Sequence, residues 1–477
     1  MKAYDVIIIG AGVTGAAIAR ELSRYKLRIA VLEKEEEYAF GVSKSNSGII
    51  HPGTQNFPGS LKGRLCAQGN RLVRKIAREL GVDFKQTGEL IVAFNGEEAG
   101  RLRELKREAE MLGVPGLRIL DKRRLAEKEP NLSPEAVAAL YAPTAGIISP
   151  YRLVYDLCEN ALKNGVEIHT GCGVKAVGTA GGGFSVLTVK GEFRSRFLVN
   201  AAGLFADDVA AMCGINDFRI TPRKGEEFIL DKKLENISRH LLFPLPNKIS
   251  KGVLVIKTAD GNPMIGPTAQ DAADKEDLGT SDAGLKEALA GARRLIPSID
   301  EKDIIAYFAG LRPAAGDDFI IRREEKVPGL ITVAGIQSPG LTAAPAAALM
   351  VRGLLRDCGL VLKKKLFFRP RQSEIPHLFS LALKPAERLV KKDPAYGDIV
   401  CRCEMVSAKE VRDAVRRGAC TMDGIKFRTR AQAGRCHGSF CTARIMRILA
   451  QERKLPLTGV SKRGKGSELV KKDRADV

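Results

Sequence analysis

Asp5-Val6-Ile7-Ile8-Ile9-Gly10-Ala11-Gly12-Val13-Thr14-Gly15 is the stretch whose reading decides the fold. Asp5–Ile9 has the apolar density of a parallel strand buried on both faces. It runs directly into Gly-x-Gly-x-x-Gly, and the residues that follow read as a helix through about Arg24. Arg28–Leu32 is the next strand, and Glu33 stands 18 residues after Gly15. Strand, glycine turn, helix, strand and acidic residue together form a dinucleotide-binding βαβ unit. Gly10, Gly12 and Gly15 let the turn close, let backbone approach a pyrophosphate, and let the helix pack on the strand. The helix N-terminus then faces phosphate charge, and Glu33 is placed to accept hydrogen bonds from a ribose.

Outward from this unit, charged helical stretches cover Leu61–Leu80 and Glu97–Leu112, and a further helix covers Tyr151–Asn164. Phe197–Gly203 (FLVNAAG) is an apolar strand ending in small residues. From Thr221 to about Tyr307 apolar and polar residues alternate between turn signals, as in a mixed or antiparallel sheet. Leu330–Gly335 returns as a buried strand before an alanine-rich helix that follows Ser338-Pro339-Gly340. The expected fold is therefore α/β with an added α module. The dinucleotide domain is discontinuous, built from residues about 1–50, 165–205 and 330–358, with substrate-domain inserts between them. Residues 359–398 read as a linker, 399–455 as a small helical module and 456–477 as a basic tail.

That module carries Cys401, Cys403, Cys436 and Cys441, a C-x-C pair and a C-x4-C pair separated by 32 residues. Four thiolates on two short turns suit a metal cluster. Structural zinc sites are the other option, although they pair cysteines two to four residues apart. The remaining six of the ten cysteines, Cys420 included, read as packing residues. No apolar run reaches spanning length, and no signal peptide is read at the start. The expectation is a cytoplasmic protein, or one peripheral to the inner face of the membrane. The net charge is +21, and residues 361–477 hold 28 Lys and Arg against 12 Asp and Glu. Without a nucleic-acid motif, this excess points to an acidic redox partner or a membrane surface rather than nucleic acid.

GAGVTG at 10–15, VLEKE at 31–35, SNSGIIHPG at 45–53, VNAAG at 199–203, GLRPAAGDD at 310–318 and VAGIQSPGLTAAPA at 333–346 together resemble one superfamily. It is that of the D-amino-acid oxidases and FAD-dependent glycerol-3-phosphate dehydrogenases. CRCEMV at 401–406 and GRCHGSFC at 434–441 resemble the bacterioferritin-associated-ferredoxin-like [2Fe-2S] domain. The resemblance implies that Gly10, Gly12, Gly15, Glu33 and Lys34 hold the adenosine diphosphate part of FAD. It places Val174 against the adenine and Ser45, Asn46 and Ser47 by the pyrophosphate and flavin. Gly335 and Gly340 then sit by the isoalloxazine, and the four cysteines hold the cluster.

Hydride transfer to a flavin requires a base for the substrate proton and an anchor for the rest of the substrate. His51, in the flavin-side segment, is the first candidate base and His240 the second. Arg312 matches the family arginine that grips an anionic substrate, and Lys224 is a candidate second cation. The resemblance implies a dehydrogenase of a small anionic alcohol, sn-glycerol 3-phosphate first. Electrons would then pass through the cluster to a flavoprotein, a ferredoxin or a quinone-linked subunit. The alternatives are a 2-hydroxyglutarate-like hydroxy-acid or amino-acid dehydrogenase, direct oxidase activity, and a non-catalytic FAD-binding electron-transfer subunit.

Overall fold

A computed structural model of the chain describes residues 3–246 and 251–471. The strand Ala3–Ile9 lies at the centre of an eight-stranded sheet. It is flanked in parallel by Ile29–Leu32 on one side and Gly191–Asn200 on the other. Glu167–His169 extends the first edge, and Leu330–Ala334 pairs in parallel with Leu198–Asn200. Strands from three distant parts of the sequence thus form one parallel ladder. The antiparallel hairpin Val174–Ala180 and Gly183–Thr188 continues from the early half of Gly191–Asn200.

Helices Val13–Leu22, Pro150–Lys163 and Gly340–Asp357 cover the sheet, and Leu61–Leu80 packs on the last of these. Val6, Ile8, Leu22 and Ala16 are among the residues fully withdrawn from solvent there. Each buried aliphatic side chain of this size contributes roughly 1.5–3 kcal/mol. The tight entry into the first helix depends on two glycines. Gly10 has φ +102°, and a Cβ there would lie 2.5 Å from the Ala201 carbonyl oxygen. A Cβ on Gly15 would lie 2.0 Å from the Gly10 carbonyl oxygen. Side chains at either position would push the turn off the strand ends.

The inserts build a nine-stranded, mostly antiparallel sheet. Its longest pairing joins Thr221–Leu230 to Ile304–Ala314. This sheet carries its own apolar core, with Leu90, Leu242, Val255 and Ile265 fully buried. The cavity described below lies where one face of this sheet meets the ends of the parallel strands.

Residues 399–460 form a hairpin, Ile399–Cys401 with Val406–Ser407, and helices Ala408–Arg416, Met422–Thr429 and Thr442–Arg453. The Ser407 side chain caps the first helix reciprocally with Glu410, a capping box. The segment read as a linker is closely packed. Its Lys365 N–H donates to the Arg24 carbonyl at 2.9 Å, and its Gln372 N–H donates to the Glu79 carbonyl at 3.1 Å. The Asn160 amide donates to the Arg369 carbonyl at 3.0 Å. This strap therefore crosses three helices of the first domain before a short exposed helix, Leu383–Lys392. No helix among the described residues is long and apolar enough to cross a membrane.

Candidate active site

A cavity of about 630 Å³ runs from the glycine turn to the antiparallel sheet. At one end it is lined by Gly10, Gly12, Glu33, Lys34 and Val174. Glu33 is buried and accepts the Ala11 N–H at 2.7 Å and the Glu35 N–H at 3.0 Å. Burial raises its carboxyl above the ordinary range, and those two N–H groups oppose the shift. The Val13 N–H, in the first turn of the helix, donates to the Ser43 hydroxyl at 2.9 Å. Lys34 lies over the Phe205 ring, 3.8 Å from its centroid.

The other end is lined by Ser45, Asn46, Ser47, His51, Arg312 and Gly340. Gly340 begins the helix Gly340–Asp357, so that helix presents its positive end to the cavity. Gly15 and Gly335 stand just behind the lining. The first packs the helix onto the strand, and the second, at φ +67°, turns the chain beside Ala315. His51 is buried, and its N–H donates to the Thr342 hydroxyl at 2.9 Å. Burial, and then the nearby Lys251 charge, hold its imidazole well below the usual value. The ring is therefore neutral near pH 7 and able to accept a proton. Arg312 donates to the Thr268 carbonyl at 2.6 Å. Gly225 makes room for it, because a Cβ there would lie 2.4 Å from the Arg312 Nη2.

Besides Gly15 and Gly335, two more sequence candidates lie outside the lining. Lys224 is paired with Asp277 at 2.8 Å. Alternate residues of a strand face opposite ways, so Gly225 and Glu227 line the cavity while Lys224 turns from it. His240 has its Nδ1 2.6 Å from the Glu129 carboxylate, and its ring meets Tyr141 edge-on. This pairing ties the start of the strand Leu241–Pro244 to the end of the helix Lys122–Lys128 rather than presenting a base to the cavity.

Lys251 and Glu227 line the cavity and had no part in the sequence reading. The Lys251 Nζ is withdrawn from solvent and has no hydrogen-bond partner among the described residues. Glu227 is buried. It accepts from the Ser47 hydroxyl through one oxygen, while the other has no partner among the described residues. Strand parity within RKGEE could have singled out Glu227. Lys251 lies on a loop between strands and carries no such periodic signal.

The four module cysteines fall into two sulfur pairs. The Cys403 and Cys436 sulfurs are 3.3 Å apart, and the Cys441 thiol is hydrogen-bonded to Cys401. N–H groups of Gly438, Ser439 and Phe440 are directed at the Cys436 sulfur. Two sulfur pairs with N–H donors already in place fit a two-iron cluster, whose charge such donors stabilise. Among the described residues, no group of three or more His, Cys, Asp or Glu side chains is gathered as a site for a metal ion. Cys420 stands apart, its sulfur 3.2 Å from the Glu36 carbonyl.

Residues 5–354 match the model of the FAD dependent oxidoreductase family. The chain belongs to that family. Residues 399–451 match the BFD-like [2Fe-2S] binding domain. This FAD dependent oxidoreductase is 42% identical to a glycerol 3-phosphate dehydrogenase of Caloramator mitchellensis, over 98% of each chain. It is 34% identical to a glycerol 3-phosphate oxidase of Mycoplasma pneumoniae, over 76% of this chain and 97% of the relative. Among solved structures it resembles dithionite-reduced L-alpha-glycerophosphate oxidase of Mycoplasma pneumoniae with FAD bound. The TM-score is 0.74 and the identity 32%, over 78% of this chain and 98% of the other. FAD and a [2Fe-2S] cluster are thus the cofactors of this oxidoreductase. The glycine turn and the helix N-termini fit the first, and the paired thiols fit the second.

Proposed function

We propose that the chain oxidises sn-glycerol 3-phosphate to dihydroxyacetone phosphate. The observation that carries this reading is the convergence of Lys251, Arg312 and neutral His51 in one cavity. In this reading Gly10, Gly12, Gly15, Glu33, Lys34 and Val174 hold the adenosine end of FAD. Ser45, Asn46, Ser47, Gly335 and Gly340 surround its ring. Bound FAD supplies the two-electron acceptor. Arg312 and the Lys251 ammonium, which has no hydrogen-bond partner among the described residues, bind the phosphate dianion through charge-assisted hydrogen bonds. His51 accepts the proton of the C2 hydroxyl, leaving the C2 hydrogen to depart with its electron pair. Burial of these groups keeps competing water from the reacting carbon.

Cys401, Cys403, Cys436 and Cys441 would hold the cluster, which supplies one-electron chemistry toward a protein acceptor. The names of the glycerol 3-phosphate relatives support the substrate, and the iron–sulfur module supports a dehydrogenase over an oxidase. Exposed Cys403, and Phe440 at 85% exposure on the turn between Cys436 and Cys441, offer a side for that acceptor. The basic surface around residues 363–392 suits an acidic partner or the inner face of a membrane.

The test is anaerobic mixing of the holoenzyme with glycerol 3-phosphate, followed by flavin absorbance. Bleaching within milliseconds to seconds is expected. Absence of bleaching, with bleaching by 2-hydroxyglutarate or an amino acid instead, would reject the substrate.

A further inference from the structure

Glu227 is a buried carboxylate in the cavity lining, which it shares with the cations Arg312 and Lys251 and the neutral imidazole of His51. It lies on the strand Thr221–Leu230, and its immediate partner is the Ser47 hydroxyl. Its second oxygen is buried with no partner among the described residues. An unsatisfied buried carboxylate oxygen is costly, and a bound hydroxyl group would relieve that cost. Arg312, on the neighbouring strand Ile304–Ala314, is the charge that acts on it most directly. His51 and Lys251 line the same space.

A phosphate dianion cannot occupy the place next to this oxygen, because the charges are alike. The reaction assigns the C2 hydroxyl to His51. Of a polyol phosphate, the C1 hydroxyl remains. We propose that Glu227 is a specificity-determining residue, which accepts a hydrogen bond from the substrate's C1 hydroxyl and repels molecules carrying a carboxylate at that carbon. The inference rests on the reading of the substrate as glycerol 3-phosphate and deepens it. It separates that substrate from hydroxy acids, which Arg312 and Lys251 alone would also attract.

Burial raises the Glu227 carboxyl to about 7, with the Ser47 hydroxyl and then Arg312 opposing the shift. The test is therefore made at pH 8, where the group is ionised. Two ligands that cannot reduce the flavin are titrated into oxidised holoenzyme and followed by the flavin spectrum. Dihydroxyacetone phosphate carries a C1 hydroxyl, and 3-phosphohydroxypyruvate, likewise a ketone at C2, carries a carboxylate at that carbon. The measured quantity is the Kd of 3-phosphohydroxypyruvate divided by that of dihydroxyacetone phosphate. In Glu227→Gln this ratio is expected to fall at least tenfold, because the amide removes the repulsion and keeps an acceptor. Glu227→Leu, similar in size and also uncharged, serves if the amide variant does not fold, and the ratio is expected to fall in it too. A purely structural role weakens both ligands together and leaves the ratio unchanged, which would overturn the inference. Normal bleaching by glycerol 3-phosphate with an unchanged ratio overturns this inference alone. No bleaching in the wild type overturns the substrate reading and this inference with it.

Discussion

Arg428 of the C-terminal module and Glu37 of the first domain meet at 2.9 Å, with side-chain exposures of 3% and 2%. Arg428 also contacts Glu159 at 3.2 Å and lies over the Tyr155 ring at 4.0 Å. Glu37 additionally accepts the Cys420 N–H at 2.7 Å and the Thr421 N–H at 3.2 Å. Removing one partner of a buried pair leaves the other charge uncompensated. Arg428→Ala is therefore expected to lose about 3–5 kcal/mol of stability, read by denaturant unfolding. It should also increase protease cleavage between the two domains. Unchanged cleavage and unfolding would mean that the pair does not hold the junction.

His51→Ala is expected to slow flavin reduction by about 10²–10⁴-fold in stopped-flow measurements. Because burial lowers the His51 value, the wild-type reduction rate should show no inflection at the usual histidine value of 6.5. The rate falls only as pH drops through the depressed value, where the imidazole gains a proton. An inflection near 6.5 that disappears in the variant would contradict the burial argument.

Lys251→Met removes an ammonium whose Nζ is withdrawn from solvent and has no hydrogen-bond partner among the described residues. A charge-assisted hydrogen bond contributes roughly 1.5–3 kcal/mol, so substrate affinity should fall about tenfold to more than a hundredfold. Arg312→Lys should weaken binding as well, because an ammonium cannot reproduce the planar fork. Saturation of the reduction rate against substrate concentration reads both effects.

Glu89 is fully buried, accepts from the Thr54 hydroxyl, and is raised by burial from 4.5 to about 7. Between those two values the folded state keeps a proton that the unfolded state has lost. Stability contributed by this group therefore declines as pH rises through that window and levels off above it. Glu89→Gln removes the slope, so the variant should gain on the wild type between pH 5 and pH 7 in urea unfolding. An equal difference at both pH values would refute the assignment.

Cys403→Ser or Cys436→Ser is expected to lose iron and acid-labile sulfide while substrate still bleaches the flavin. Reduction of one-electron acceptors by substrate should fall sharply in both variants. Cys420→Ser, outside the sulfur pairs, should retain iron and sulfide.

The glycine turn was legible because its requirements are local. Gly10 and Gly15 are held by contacts that no side chain could share, and the strand–helix–strand order announces them. The cysteine quartet was legible for the same reason, as its spacing carries the chemistry. His240 and Lys224 looked like cavity residues because their segments approach the site. Their direction, however, is set by strand parity and by partners distant in sequence, Glu129 and Asp277. Lys251 escaped notice because nothing in a loop distinguishes a lysine turned inward from the many exposed ones. The strap at 364–373 was equally hidden. Its polar, proline-containing composition is that of a linker, and only the backbone acceptors on Arg24 and Glu79 reveal the docking.

Arg430 adds a further tie. Its guanidinium meets Asp260 at 3.0 Å in the antiparallel sheet's loops and Glu404 at 3.2 Å between the cluster-side cysteines and Met405. With Arg428 buried on one side and Arg430 on the other, the cysteine loop is bolted to both lobes. It cannot act as a swinging arm that collects charge at the cavity and carries it away. On the proposed route an electron would cross a fixed gap inside the protein, and its carrier would come to the open sulfur edge to collect it. Traffic between successive turnovers would then be governed by the visitor's arrival and departure, while the interior route keeps one length throughout.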